Sequence, residues 1–500
     1  MNGQHTMAVR VLARLLAAVA VALAGAAVPG WPAAAGMTTG FRPPGARNAS
    51  AAGAARPAGS WGRAIPVPGL SALNTGGSAY LGSVSCASAG NCAAGGSYTD
   101  RHDRYHAFVA VERKGRWGTA IEVPGLAVLS TGDAEVNSVS CGPAGNCAAG
   151  GYYTARHREL GFVAVERNGR WSRAIEVTGP AARSKGGGTE VQSVSCNGPA
   201  GDCVAGGYYP VADGHSQGFL AVERNGRWNR AIKVPGLGAL NKGTSASVVS
   251  VSCASAGSCA AGGAYRDGHG HARGFVVSER RGRWGTAIEV PGLAALSEGG
   301  NAFVASVSCA PAGYCAAGGP YADQGFVAVE RHGVWGTAIE VPGLGTLNTG
   351  LDAEVNSVSC ASAGNCAAGG DYLSASANGF QGFVALERDG VWGTAIEVPG
   401  LAALNRADAP VISVSCAPAG TCASGGFYTD ADGRSHAFLA LARDGAWGRA
   451  VQVPGLAALN KGRNAQVSSV SCASAGGCAA GGSYTDRHHH FQAFVVNQTG

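Results

Sequence analysis

Apolar and polar residues alternate along short runs of this chain, and the same runs return many times. In Phe162 to Arg167 (FVAVER), alternation places Phe162, Ala164 and Glu166 on one face of a strand and Val163 and Val165 on the other. Three further strand signals accompany it: Val136 to Cys141 (VNSVSC), Cys147 to Tyr153 (CAAGGYY) and Ala174 to Val177 (AIEV). Asn168-Gly169, Asn225-Gly226, Asp389-Gly390 and Asp444-Gly445 are two-residue signals of the type I′ hairpin, which would join strands three and four. Pro124-Gly125, Pro291-Gly292 and Pro399-Gly400 end strand four, because proline cannot donate to a ladder. A longer loop such as Leu401 to Asp408 then leads to the next unit, and no helix of ordinary length fits the repeat.

Trp61, Trp117, Trp171, Trp228, Trp284, Trp335, Trp392 and Trp447 mark the period, spaced by 51 to 57 residues. Four antiparallel strands repeated eight times predict an all-β fold, an eight-bladed β-propeller over residues 61–500. The Ala64 to Val67 strand has no FVAVER segment before it, and the last unit stops at Phe494 to Gly500 after its third strand. We therefore expect ring closure by strand exchange, Ala64 to Val67 pairing antiparallel with Phe494 to Asn497; an open β-solenoid is the rival.

The pattern AIEVPGLAALN, SVSCASAGNCAAGGYYTD, FVAVERNGRWGT resembles a repeat family of secreted proteins from high-GC actinobacteria, across essentially all of residues 61–500. The resemblance implies an extracellular propeller, mostly of unassigned function, and carries over no catalytic residue. The third unit departs from it, with one extra residue between Cys196 and Cys203 and Thr178-Gly179-Pro180 in place of Pro-Gly-Leu.

The 81 glycines suit many tight turns, and an apolar fraction of 46% supplies a core. Arg10 and Arg14, the apolar Leu15 to Val28 and the small Ala33 and Ala35 read as a secretory signal peptide, residues 1–35, cut after Ala35. Residues 36–60, rich in Ala, Gly and Pro, read as a flexible lead-in. No later segment is apolar enough for a membrane anchor, and the mild charge of +6 does not mark a nucleic-acid binder. The expectation is a secreted, extracellular protein.

Sixteen cysteines fall into eight local pairs: Cys86 and Cys92, Cys141 and Cys147, Cys196 and Cys203, Cys253 and Cys259, Cys309 and Cys315, Cys360 and Cys366, Cys416 and Cys422, Cys472 and Cys478. Each pair brackets a turn between strands one and two, and an exported protein meets an oxidising compartment, so disulfides are expected. A zinc site needs closer pairs of ligands, so no metal and no cofactor is expected.

Ten of the twelve histidines lie in the loop between strands two and three. His102, Asp103, Tyr105, His106, His157, His215, His269, His271 and His436 are the candidate ligand-binding residues, with a solvated polar loop as the plainer reading. The run His488 to His490 fixes no metal geometry by itself. The repeated Trp, and the Tyr equivalents Tyr98, Tyr153, Tyr209, Tyr265, Tyr321, Tyr372, Tyr428 and Tyr484, are read as core with sugar stacking as the alternative. Glu112, Glu166, Glu223, Glu279, Glu330 and Glu387 recur in register and are read as blade-surface partners of neighbouring arginines. No zinc-protease or phosphate-loop motif is present. The functional expectation is a non-catalytic binding scaffold for a glycan or other cell-surface polymer. A propeller glycosidase or lyase with one loop-borne site, and a protein-interaction platform, are the alternatives.

Overall fold

The computed structural model describes residues 60–143, 145–179, 188–197, 202–211, 215–224, 226–376, 379–418 and 420–499. The expected signal peptide and most of the expected lead-in lie outside the described residues. The compact unit Gly59–Gly500 forms eight antiparallel sheets, one for each repeat, so the propeller expectation holds. The second blade is typical: Ala134–Cys141, Cys147–Ala155 and Arg158–Arg167 pair in order, and Arg170–Trp171 and Ile175–Glu176 complete the sheet. The first strand of each blade is innermost, and the first strands touch their neighbours around the ring.

Strand four differs from its sequence reading. It is two short pieces, both paired with strand three: Glu166 opposite Trp171, and Phe162 opposite Glu176. Between them the chain leaves its own blade to bond the neighbour. The Ala174 N–H donates to the Pro124 carbonyl at 2.8 Å, and an equivalent bond of 2.7–2.8 Å recurs at all eight junctions, Ala64 to Pro454 included.

The Leu-Ala-Ala-Leu connection is also corrected. It is a single helical turn rather than a loop, Leu401–Leu404 in one case and seven such turns among the described residues. Gly400, at φ 78°, lets the chain turn from the ladder into it, and Leu401 is buried against the next blade.

A second ring of hydrogen bonds runs inside. In the Ser-Val-Ser-Cys segment the two serine hydroxyls accept from the Val and Cys N–H groups of the next blade. Ser83 Oγ accepts from Val139 and Ser85 Oγ from Cys141, both at 2.9 Å. All eight junctions repeat this pair, giving sixteen bonds of 2.9–3.1 Å. The free edge of each innermost strand is thereby satisfied by side chains, which removes an otherwise open sheet edge.

The core lies between blades. Leu81, Val84 and Phe108 of the first blade pack with Ala479, Ala493 and Val495 of the eighth. The Gly-Gly pair of strand two makes this packing possible. A Cβ on Gly150 would strike Val191 and Val194 of the next blade, and one on Gly151 would strike the Glu135 carbonyl of its own blade.

Closure occurs through the chain ends. Ile65 lies opposite Val495, Pro66 opposite Phe494, Trp61 opposite Gln498 and Ser60 opposite Thr499. The ladder is offset by one residue from the expected pairing, because the Val67 N–H reaches Ala493. All eight expected disulfides form, with Cα separations of 3.9–4.1 Å across the directly paired cysteines.

Candidate functional site

Two kinds of connection emerge on one face: the loops between strands two and three, and the helical turns. The Asn74 amide donates to the Phe491 carbonyl at 3.0 Å, and Asn348 to that of Asp323 at 2.7 Å, so these helical turns are tied to the loop of the preceding blade. The disulfide turns and the hairpins between strands three and four share the other face, where the Gly115 N–H donates to the Gly90 carbonyl.

An aspartate organises several of the variable loops. Asp100 Oδ1 accepts the His102 and Arg104 N–H groups at 2.8 and 3.1 Å, while Oδ2 meets His106 Nε2 at 3.2 Å. The His106 ring stacks on Tyr98, with centroids 5.3 Å apart, and its Nδ1 lies 3.3 Å from Glu122. Desolvation raises the Asp100 carboxyl, but the two N–H donors and the His106 ring outweigh it and hold it at about 2. Asp430 repeats the arrangement with His436 Nε2 at 2.7 Å and Tyr428 beneath the ring. Asp267 uses Arg273 at the same place, and Asp486 uses Gln492.

The candidate histidines therefore divide into two groups. His106 and His436 are half-buried and lock their own loops. His102, Asp103, His157, His269 and His271 stand exposed at the turns, and His215 is half-buried. Tyr105 is half-buried, and its N–H donates to Asp133 of the next connection at 3.0 Å. These residues are spread over five blades: His102, Asp103, Tyr105 and His106 share one loop, His269 and His271 another, and His157, His215 and His436 each stand on a blade of their own. Among the described residues no group of three or more His, Cys, Asp or Glu is placed to hold a metal ion.

The repeated aromatics are core. The eight tyrosines are 2–6% exposed, and several donate to a strand-four carboxylate, as Tyr265 does to Glu289 at 2.8 Å. Burial, then the nearby Asp486 carboxylate, raises the Tyr484 hydroxyl to about 12. The tryptophans are buried or half-buried between blades, so neither set offers a repeated stacking surface.

Four of the six repeated glutamates are arginine partners, as expected, but not at the surface; Glu387 accepts instead from the Tyr314 hydroxyl and Glu112 from the Asn497 amide. Glu166, Glu223 and Glu279 are 0–2% exposed, and each accepts at 2.6 Å from an arginine of the preceding blade: Arg113, Arg167 and Arg224. Arg280 reaches Glu330 at 3.2 Å. Each arginine lies over the hairpin glycine of the next blade. A Cβ on Gly169, Gly226, Gly282, Gly333, Gly390 or Gly445 would meet Arg113, Arg167, Arg224, Arg280, Arg331 or Arg388 in turn. The reason for burial is geometric: Glu166 points into the interblade core, so only a long side chain entering from the rim can neutralise it.

A set of residues that sequence reasoning missed surrounds the central axis. Within the innermost segment Ala-x-Val-x-Ser-Val-Ser-Cys, the first variable position carries Tyr80, Glu135, Glu190, Ser247, Phe303, Glu354, Pro410 and Gln466. Comparing repeats at this position would have found it. Glu190 accepts from Tyr208 at 2.8 Å and from Asn137 of the preceding blade at 2.9 Å. Among the described residues two carboxylates oppose each other in the sixth blade alone, Glu354 and Asp371. Asn356 donates to Asp371 at 2.7 Å and to the Val411 carbonyl of the next blade at 3.1 Å. Burial, then the neighbouring Asp352, raises the Glu354 carboxyl to about 7; burial and Glu354 push Asp371 well above the usual carboxylate range.

These features define a disulfide-stapled eight-bladed β-propeller. No protein-family model and no curated protein matches the chain. Similar solved structures include Sqt1 from Chaetomium thermophilum at 14% identity, covering 85% of this chain and 98% of that one, with TM-score 0.46. A Hadza microbial sialidase is 11% identical over 67% of this chain and 68% of its own, with TM-score 0.35. A mutant NanB sialidase from Streptococcus pneumoniae is 9% identical over 82% and 83%, with TM-score 0.37. At these levels the likenesses bear on no function. Eight disulfides fit an oxidising, extracellular setting, and among the described residues no helix is long and apolar enough to cross a membrane.

Proposed function

We propose that this protein is a secreted binding scaffold whose ligand, a glycan or other cell-surface polymer, docks on the face carrying the loops between strands two and three. The observation that carries this reading is the division of labour between frame and loops. Serine and disulfide links repeat in every blade, as does the alanine link between neighbours, made to a proline carbonyl at seven junctions and to Thr178 at one, whereas exposed His102, Asp103, His157, His269 and His271 differ from blade to blade on one face. Function concentrates on loops held by a rigid scaffold. Several weak sites around one ring would add through avidity. Glycan-array binding by the wild-type protein tests it, followed by His102→Ser with Asp103→Ser. The expected result is loss of the local site with the other blades still active; binding removed only by Arg→Ser changes on the hairpin face would refute the loop assignment.

One observation favours a second reading, a glycosidase. Glu354 and Asp371 form a carboxylate pair in a single blade, both raised by burial, and a carboxyl that keeps its proton near neutral pH is what the acid of glycoside hydrolysis needs. Hydrolysis of aryl glycosides that disappears in Glu354→Gln and Asp371→Asn would establish it; no turnover leaves the scaffold. A protein-interaction platform is the outcome if neither glycan binding nor turnover is found.

A further inference from the structure

The junction between the eighth and first blades breaks the arginine pattern. Thr499 stands where the other third strands carry Arg113, Arg167 or Arg224. The carboxylate that such an arginine would meet is nevertheless present. Glu112 is 1% exposed, and its Oε1 accepts from the neutral Asn497 amide where Glu166, Glu223 and Glu279 accept from a guanidinium; its Oε2 is buried without a hydrogen-bond partner, as theirs is. The place over the hairpin glycine is open as well. A Cβ on Gly115 would meet nothing within 4 Å, whereas the equivalent glycines of the six blades that follow are each covered by an arginine.

We propose that this groove is a binding site for a guanidinium group from outside the fold, the arginine side chain of a partner polypeptide. The chain itself demonstrates the docking mode. At three junctions a guanidinium enters from the rim, its side chain still 32–49% exposed, and reaches a buried carboxylate at 2.6 Å. Thr499 is short and exposed and leaves that entrance unfilled. Arginine suits the site better than lysine, because its planar fork reaches a recessed carboxylate while its stem lies along the hairpin. A buried carboxylate without a cation beside it is costly, and burial raises Glu112 despite the Asn497 hydrogen bond; an incoming cation would restore its ionised form. The site lies on the hairpin face and does not depend on the glycan reading.

The test titrates the protein with N-acetyl-arginine amide and with its neutral isostere N-acetyl-citrulline amide, followed by calorimetry and by the shift in Tm. We expect one arginine compound bound per chain and no citrulline binding, with affinity at least about tenfold weaker in Glu112→Gln. Thr499→Arg supplies the guanidinium from within, so it should abolish binding and melt higher than the wild type. It keeps the test decisive if Glu112→Gln fails to fold. Equal binding of the two compounds, or undiminished binding to Glu112→Gln or Thr499→Arg, overturns the proposal. Arg56 precedes Ser60 by four residues in the sequence. Binding seen only in Arg56→Ser would assign the groove to the chain's own arginine and overturn it equally.

Discussion

The backbone N–H of Val84 donates to the hydroxyl of Ser469 at 3.0 Å, across 385 residues of sequence. The same bond joins blades that follow one another directly, as between Val139 and Ser83. The seam is thus built like every other junction on its inner side, although its two blades are not consecutive in sequence. Serine replaces water as the acceptor for a buried edge N–H, and its geometry holds each blade at a set angle to the next.

Replacing Ser469 and Ser471 by alanine should remove two acceptors at the seam. An edge N–H left unpaired costs about 1–3 kcal/mol. A lower Tm is expected, with faster amide exchange at Val84 and Cys86. Unchanged exchange there would mean that water takes the place of the hydroxyls.

Deleting residues 60–66 should unlatch the ring, because Phe491–Thr499 then loses the strand that covers its outer edge. Melting at least about 5 °C lower is expected. Hydrogen exchange should quicken first in residues 491–499, whose partner has gone.

Each disulfide closes a short loop, for which chain entropy gives about 2 kcal/mol. Intact-mass measurement should find the sixteen cysteines oxidised, and the double change Cys141→Ser with Cys147→Ser should lower stability by about that amount. Peptide mapping that found bridges between blades would contradict the local pairing.

Stability should depend on pH through Glu354 and Asp371. Both carboxyls are raised in the fold, so the folded state holds protons that the unfolded chain releases. The Glu354 contribution is fully present below about pH 4.5, the usual glutamate value, and is lost as pH rises through about 7; the Asp371 contribution is fully present only below its ordinary value of 3.8 and is lost where its raised carboxyl ionises. Asp371→Asn should therefore stabilise the protein at pH 8 and leave it nearly unchanged at about pH 3, below the ordinary aspartate value. Equal effects at both values would mean that the pair is ionised throughout.

His106 and His102, four residues apart, should behave differently. His106→Ala removes the contacts with Asp100, Glu122 and Tyr98 and should cost about 1 kcal/mol. His102→Ala, at an exposed turn, should stay within about 0.5 kcal/mol. Thermal melts of the two variants decide this directly, and equal losses would place His102 in the loop frame.

Much of the architecture was legible because it rests on local rules. Asn168-Gly169 does adopt two positive φ angles, 53° and 83°, as the hairpin requires. Lys114-Gly115 and His332-Gly333 adopt the same turn without the asparagine or aspartate signal, so composition alone understated how uniform the hairpins are. The candidate site was only partly legible. The sequence places His102 and His106 in the same loop but cannot say which ring turns inward to Asp100, since that depends on Tyr98 and Glu122 arriving from two other strands.

The residues by themselves determined the repeat, the strand count, the hairpins and the cysteine pairing, because each follows from contacts close in sequence. The tertiary structure alone decided what crosses between blades. Identical Ser-Val-Ser-Cys segments become a continuous ring only when set side by side, and Glu166 becomes a buried ion partner only when Arg113 of another blade reaches it. The same holds for the unfilled place beside Glu112. Thr499 is an unremarkable residue in sequence, and it leaves a groove only because closure brings it to the junction where every comparable blade supplies an arginine.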